Sequence, residues 1–398
     1  MHSTPSTQPI RAAIVGGGIG GLFAANALRA RGIDVTVYEQ AKVLGEVGAG
    51  IVLFPNGVRQ LKRMGFNDAL DSIGAKYGPD SQYCRMDGTK VGSVQITDSS
   101  GSHCTYGVHR ADLLGIFAAA LPQGVVRTDH RCTGFEQDGA STRLTFANGH
   151  HAQADVVIAA DGIHSELRRF VVMPQKPEYS GMRAFRGLVA REKLSHWRDH
   201  AHQVWMGDGK HFMAYPVRAG ALLNYVGFVP AVETIESWSA VGDRNQLLAS
   251  FRDWNPSVTR LLEQVDTCFW WGLYDRRPLA AWTNGRLALL GDAAHAMLPH
   301  LGQGVNQAIE DGIALALLLE TCGVAGIPDA LTRYAKLRQA RTDVVQAEAR
   351  KNGLRYDSQY VNLELRDREI ADNAQLRKWI YDYDVEQAAL AERSSSGH

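Results

Sequence analysis

Cysteine is scarce in this chain: five among 398 residues, odd in number and widely spaced at Cys84, Cys104, Cys132, Cys268 and Cys322. No Cys-x-x-Cys pair occurs, so neither a zinc site nor a redox disulfide is supported, and a reducing cytoplasm fits best. Also missing is any apolar run approaching the ~20 residues that span a bilayer, so no membrane partner is expected. Neither sign of charge is in excess, with Lys+Arg 42 and Asp+Glu 42. That balance gives no reason to expect nucleic acid or an anionic surface as partner. Residues 1–9 are polar, lack the apolar centre of a signal peptide and are expected to be disordered; 393–398 are expected to form a flexible tail. His196, His200 and His202 have loose metal-ligand spacing without a fourth ligand nearby; they read as surface, and no metal is expected.

What remains is an ordinary soluble composition, 45% hydrophobic and 21% charged, long enough for two or three domains. Its most informative residue is glycine. Arg11 to Val15 read as a buried strand, followed by Gly16-Gly17-Gly18-Ile19-Gly20-Gly21 and a helical pattern over Leu22 to Arg31. Val35 to Tyr38 form a second strand, closed by Glu39, 18 residues beyond Gly21. Gly16, Gly18 and Gly21 match G-x-G-x-x-G between strand and helix, the arrangement that lets a backbone approach a pyrophosphate. Glu39 then suits the hydroxyls of an unphosphorylated adenosine ribose, as in FAD or NAD.

A second glycine-rich stretch runs from Gly285 to Asp311. Leu287 to Leu290 have strand length, Gly291 ends them, and Asp292 lies at the strand's carboxyl end, where ligands bind in open α/β sheets. Pro299, Gly302 and Gly304 make a loop before a helix that starts near Val305. Val305, Ile309, Ile313 and Leu317 recur every four residues and predict one buried face. That helix start offers free N–H groups and a positive dipole end to an anionic ligand.

Between these stretches, Glu46 to Asn56 carry Gly48 and Gly50, which permit close approach to a bound ring, with Val52 and Phe54 alternating onto one face. Residues 58–74 look helical, and 77–105 read as an excursion into another sheet. Arg110 follows a strand-like Tyr106–Val108 at a helix start. Ala154 to Ala160 suggest a third buried strand, ended by Asp161-Gly162. From 173 to 283 strand alternation dominates, with His211 to Val217 and Leu222 to Val229 as neighbouring strands about a turn at 218–221. Residues 329–352 and 360–390 read as helical.

These fragments together resemble the single-component flavoprotein aromatic hydroxylases of the para-hydroxybenzoate hydroxylase fold. Within them the chain looks most like the salicylate hydroxylase, 3-hydroxybenzoate 6-hydroxylase and 6-hydroxynicotinate 3-monooxygenase group. The segments that carry the likeness are 46–51, 108–113, 160–165, 185–189, 289–300 and 308–311, spread over nearly all of 10–350. The resemblance implies an α/β fold: a Rossmann-like FAD-binding domain (10–76, 101–172 and 284–352), an inserted, mostly antiparallel β-sheet substrate domain (77–100 and 173–283), and C-terminal helices over 353–392. It implies FAD as cofactor, NADH or NADPH as co-substrate, O2, and a small aromatic acid as substrate, in a cytoplasmic monomer or homodimer.

Carried onto this chain, Gly16, Gly18, Gly21 and Glu39 would hold the ADP half of FAD. Arg110, Asp161 and Asp292 would contact its linker and phosphates. Gly302, Gly304, Val305 and Asn306 would lie against the ring. The implied chemistry is transfer of oxygen from a flavin C4a-hydroperoxide to a phenolate, which calls for a base or proton relay. His300, His211 and Tyr215 match that role, and Val52, Phe54, Pro299 and His300 would join them in lining the substrate site. Val52 stands where the 6-hydroxynicotinate enzyme has a functional histidine, leaving an apolar wall suited to a benzenoid ring. Arg183, Arg186 and Arg218 are positioned in the sequence to neutralise a ring carboxylate. Salicylate-type decarboxylative hydroxylation is the first expectation. Hydroxylation without loss of CO2, on 3-hydroxybenzoate or a hydroxypyridine carboxylate, is the alternative, and a flavin-binding redox carrier or sensor a third. His295 reads as structural or flavin-adjacent.

Overall fold

A computed structural model describes residues 9–45, 49–195, 197–198, 200–232, 240–357 and 362–394. The expectations for residues 1–8, Glu46 to Gly48, His196 and 395–398 fall outside these described residues.

The strand Arg11–Val15 sits in the middle of a six-stranded sheet ordered Thr283–Asn284, Leu287–Leu289, Val156–Ala159, Arg11–Val15, Asp34–Tyr38, Val126–Arg127. All but the edge pair of Thr283–Asn284 with Leu287–Leu289 run parallel. Val156–Ala159 and Leu287–Leu289 are buried at every position. A parallel sheet covered on both faces requires that, which is why these strands read as continuous apolar runs without alternation. The carboxyl ends of three neighbouring strands therefore bring Gly16, Asp161 and Gly291 to one edge.

Helix Ile19–Arg29 packs on that sheet and against helix Gly304–Leu319. Their approach is close enough that a Cβ on Gly312 would lie 3.0 Å from the Phe23 ring. The single buried face predicted for the second helix is a correction. Every residue from Asn306 to Leu319 is buried, because helix Ile327–Tyr356 covers the side that the pattern assigned to solvent. The polar residues on that side are paired. Glu310 meets Arg338 at 2.5 Å and Arg341 at 2.8 Å, and Asp311 meets Arg338 at 2.8 Å and His295 Nε2 at 2.6 Å. Burial alone would raise both carboxyl pKa values, but these partners hold them below their usual range.

A seven-stranded sheet lies beside this unit, ordered Phe269–Asp275, Glu178–Ala190, Leu222–Pro230, Lys210–Val217, Gln203–Gly207, Gln82–Arg85, Lys90–Ser93. Its pairings are antiparallel except that of Gln203–Gly207 with Gln82–Arg85. The turn at 218–221 joins two adjacent strands, with Arg218, Ala219 and Gly220 all at positive φ. Strands Gly50–Leu53, Tyr106–His109 and Ala75–Lys76 form a small antiparallel sheet.

Three boundaries differ from the sequence reading. The helix expected over 58–74 is two, Pro55–Arg63 and Asn67–Ile73, separated where Gly65 turns at φ +82°. Ala154 closes a different strand, His151–Ala154, so the buried strand begins at Val156. The C-terminal region forms Leu363–Asp372, Ala374–Asp382 and Val385–Ser394 after the long helix. No helix of the described residues is long and apolar enough to cross a membrane.

Candidate active site

A cavity of about 380 Å3 runs from the glycine turn of the parallel sheet to the face of the seven-stranded sheet. Backbone builds its first half. Gly16 adopts φ +112°, and a Cβ there would fall 2.2 Å from the Ala160 carbonyl oxygen. A Cβ on Gly21 would fall 2.0 Å from the Gly16 oxygen. Both positions therefore need glycine for strand–helix packing. Gly18 differs: it lines the cavity, and among the described residues nothing lies within 4 Å of where its Cβ would stand. The protein leaves that space to something else, as a pyrophosphate cradle would.

Glu39 closes the second strand, accepting from the Gly17 N–H at 2.6 Å and the Ala41 N–H at 2.7 Å. Arg110 begins helix Arg110–Ala119 on the cavity wall. Asp161 uses one carboxylate oxygen to accept from the Glu166 and Leu167 N–H groups; the other is buried without a partner among the described residues. Burial raises its pKa. Asp292 lines the cavity at the head of the short helix Asp292–His295. Gly302, left-handed at φ +62°, turns the loop so closely that a Cβ would meet Phe54 at 2.8 Å.

Gly304 and Val305 line the cavity beyond that loop, whereas Asn306 corrects the expectation. Its side chain is fully buried, accepts from the Phe54 N–H at 2.9 Å and donates to the Val52 carbonyl at 3.0 Å. It ties the ring-side strand to the helix and does not reach the cavity.

Sequence reasoning missed Arg168, whose guanidinium donates to the carbonyls of Gly162, Ile163, Asp292 and Ala293 at 2.7 to 3.3 Å. It pins the two acidic turns together. Nothing local marks such a residue, since its partners are carbonyls more than 120 residues away as well as next door.

Side chains build the second half. Val52, Phe54, Pro299, His300 and Tyr215 line it, with Val226, Phe228, Trp271 and Met213 completing an apolar slot. Asn224 accepts from the Gly50 N–H at 2.7 Å, fastening the small sheet to the large one. His300 is 5% exposed, and its Nδ1 has no partner among the described residues. Burial, with His211 adding to it, drives its pKa well below the ordinary value, so the ring is neutral and can accept a hydrogen bond. Burial pushes the Tyr215 phenol up, leaving it a protonated hydrogen-bonding group.

His211 corrects a second expectation. It is fully buried and is one layer behind the wall, its ring 5.1 Å from that of His300 and stacked on Phe228 at 4.1 Å. Its Nδ1 is 2.6 Å from the Asp357 carboxylate. His202 is not a surface residue either. It lines the cavity with both ring nitrogens unpartnered among the described residues, and burial pushes its pKa down to about 3. His295 is structural, bound to Asp311. Arg218 pairs with Asp112, and Arg183 binds Gln246 away from the cavity; Arg186 stays on the wall over the Trp271 ring.

The fold and this half-backbone, half-side-chain cavity define a dinucleotide-binding protein with an aromatic-sized pocket at the far end of its ligand site. The chain belongs to the FAD binding domain family, matched over residues 10–349. It is 36% identical to the 3-amino-4-hydroxybenzoate 2-monooxygenase PtnB3 of Streptomyces platensis, over 98% of this chain and 99% of that protein. It is 33% identical to the 6-hydroxynicotinate 3-monooxygenase of Bordetella bronchiseptica, over 96% and 97%. A solved salicylate hydroxylase substrate complex superposes with TM-score 0.85 at 27% identity, covering 97% of this chain and 98% of that one. FAD fits the residues present: Gly18 leaves room for the pyrophosphate, Asp161 keeps an unpartnered oxygen, and the Gly302–Val305 loop faces the pocket.

Proposed function

We propose that this protein is an FAD-dependent monooxygenase that hydroxylates a small phenolic aromatic acid with NAD(P)H and O2. The observation that carries the reading is His300: a neutral, buried imidazole whose Nδ1 has no partner among the described residues, on the wall where the cofactor loop meets an apolar slot. When bound, FAD supplies the means to take hydride from the nicotinamide and to activate O2.

This chain's residues supply the rest. Gly16, Gly18, Gly21 and Glu39 hold the ADP portion, Arg110, Asp161 and Asp292 the linker, and Gly302 to Val305 the ring edge. Val52, Phe54, Val226, Phe228 and Trp271 exclude water and hold the substrate ring by its faces. Phenols react with electrophilic oxygen best as phenolates. His300 takes that proton, and His211 with Asp357 carries the charge toward solvent, Asp357 being 16% exposed at its side chain. Tyr215 orients the substrate by a hydrogen bond.

Hydroxylation without loss of CO2 stands first, because the Streptomyces relative is named for adding oxygen at a ring carbon other than the carboxylated one. Salicylate-type decarboxylation is the second reading, supported by the superposition on a salicylate hydroxylase. Holoenzyme, NADH and a panel containing 3-amino-4-hydroxybenzoate, salicylate, 3-hydroxybenzoate and 6-hydroxynicotinate decide it. At least one acid should accelerate NADH oxidation and yield a hydroxylated product, with evolved CO2 separating the two readings. If no member does so above the background, the proposal is wrong.

A further inference from the structure

Helix Ala374–Asp382 lays Arg377, Ile380 and Tyr381 on the cavity wall. A guanidinium stays charged, and a charge taken out of water is costly unless a counter-charge meets it. Where buried Arg168 and Arg286 are held by backbone carbonyls, others meet a carboxylate: Arg338 meets Glu310 and Asp311, Arg341 meets Glu310, and Arg59 meets Asp98. Arg377 does not. It is 6% exposed, and among the described residues no carboxylate lies within 4 Å of it. Its guanidinium carbon stands 4.8 Å over the Tyr83 ring, and its Nη2 has no hydrogen-bond partner among the described residues. Burial works against the charge, and the phenols of Tyr83, Tyr356 and Tyr381 outweigh it, so the side chain remains cationic.

A face-on aromatic contact holds the guanidinium plane, Tyr356 hydrogen-bonds part of its edge, and the Nη2 side of that edge is left for a ligand. That edge carries two parallel N–H donors, the geometry that a carboxylate fits bidentately. Phe54 stacks on Tyr381 at 5.1 Å and 17°, which braces the helix against the strand that lines the ring slot.

We propose that Arg377 is the receptor for the substrate's carboxylate, so that the C-terminal arm, rather than the seven-stranded sheet, selects aromatic acids over neutral phenols. The inference deepens the monooxygenase reading and rests on it. It also gives the arm a role in orientation. With the carboxylate held at Arg377 and the hydroxyl at His300, the ring can present only one edge to the cofactor.

The test measures binding without NADH, by perturbation of FAD absorbance in the holoenzyme. The probes are 3-amino-4-hydroxybenzoate, 4-hydroxybenzoate and salicylate, each beside its carboxamide, which keeps the shape and removes the charge. Wild type should bind at least one acid on the order of 100-fold more tightly than its amide. Arg377→Gln should bring that ratio to about 1, with the amide's Kd unchanged. Arg377→Lys should leave roughly 10-fold, because an ammonium keeps the charge without the fork.

Wild type without preference for any acid overturns the proposal, as does a Gln variant that retains the ratio. If the Gln protein fails to hold FAD, the Lys variant decides, and an undiminished ratio there overturns it. Wild type that binds acids with this preference but hydroxylates none sinks the monooxygenase reading alone. Hydroxylation of acids with an unaltered ratio in Arg377→Gln sinks the receptor alone.

Discussion

The two halves of the cavity are built from different materials. The cofactor half is backbone: glycines set by close approach, free N–H groups at helix starts, and carbonyls pinned by Arg168. The substrate half is side chain: His300, Tyr215, His202, Trp271 and Arg377 arrive from loop, sheet and C-terminal helix. Backbone cannot be mutated away, so the first half tolerates almost no change where a Cβ would collide. The second half can be retuned one side chain at a time, which is how one scaffold comes to serve several aromatic acids.

The largest effect should separate two glycines within the backbone half. Gly16→Ala puts a Cβ 2.2 Å from the Ala160 oxygen at φ +112°, so the turn itself must break. Gly18→Ala meets no protein atom within 4 Å. FAD occupancy of the purified proteins should fall by about 100-fold or more in both. The apoprotein melting temperature should drop only for Gly16→Ala. An equal drop in both would mean that Gly18 also serves packing and not the ligand.

Next comes the boundary between the halves. His300→Ala should lower kcat by roughly 10²- to 10⁴-fold while the protein stays yellow. Loss of FAD from that variant would move His300 to the cofactor side of the comparison.

A smaller effect concerns His202, whose folded pKa of about 3 lies below the ordinary 6.5. Its neutral form is the folded one, so the unfolded chain binds more protons below pH 6.5. Its contribution to stability is full above that pH and lost as pH falls toward 3, by about 1.4 kcal/mol per unit. Denaturant unfolding of His202→Phe should show a correspondingly flatter decline from pH 6.5 to 4; an unchanged slope would show the ring to be hydrated.

The smallest effect belongs to Asp357. Asp357→Asn should reduce kcat by about 10-fold and shift its pH profile, leaving KM and FAD content alone. A change in KM without one in kcat would place the pair with His211 in support of the wall and not in proton transfer.

The same contrast explains what the sequence makes legible. Gly16 to Glu39 and Gly291 to Gly304 are local patterns whose spacing states their geometry, and the parallel strands announce themselves as unbroken apolar runs. The substrate half has no such grammar. His202 follows two other histidines in a polar segment, and only the pairing of Gln203–Gly207 with Gln82–Arg85 and Lys210–Val217 turns it inward. Arg377 sits in a charged helix that looks solvated from its composition. The all-round burial of Asn306 to Leu319 was hidden for a related reason: its polar positions are satisfied by Arg338 and Arg341 of a helix that follows it.

The most direct measurement is a crystal structure of the FAD-loaded enzyme with 3-amino-4-hydroxybenzoate. The predicted result is a ring between the Pro299–His300 wall and the Phe228 side of the sheet, its hydroxyl within about 3 Å of an imidazole nitrogen of His300. Its carboxylate should lie on the outer edge of Arg377. A ring bound the other way round, with the carboxylate at His300 and Arg377 facing no anion, would contradict these assignments.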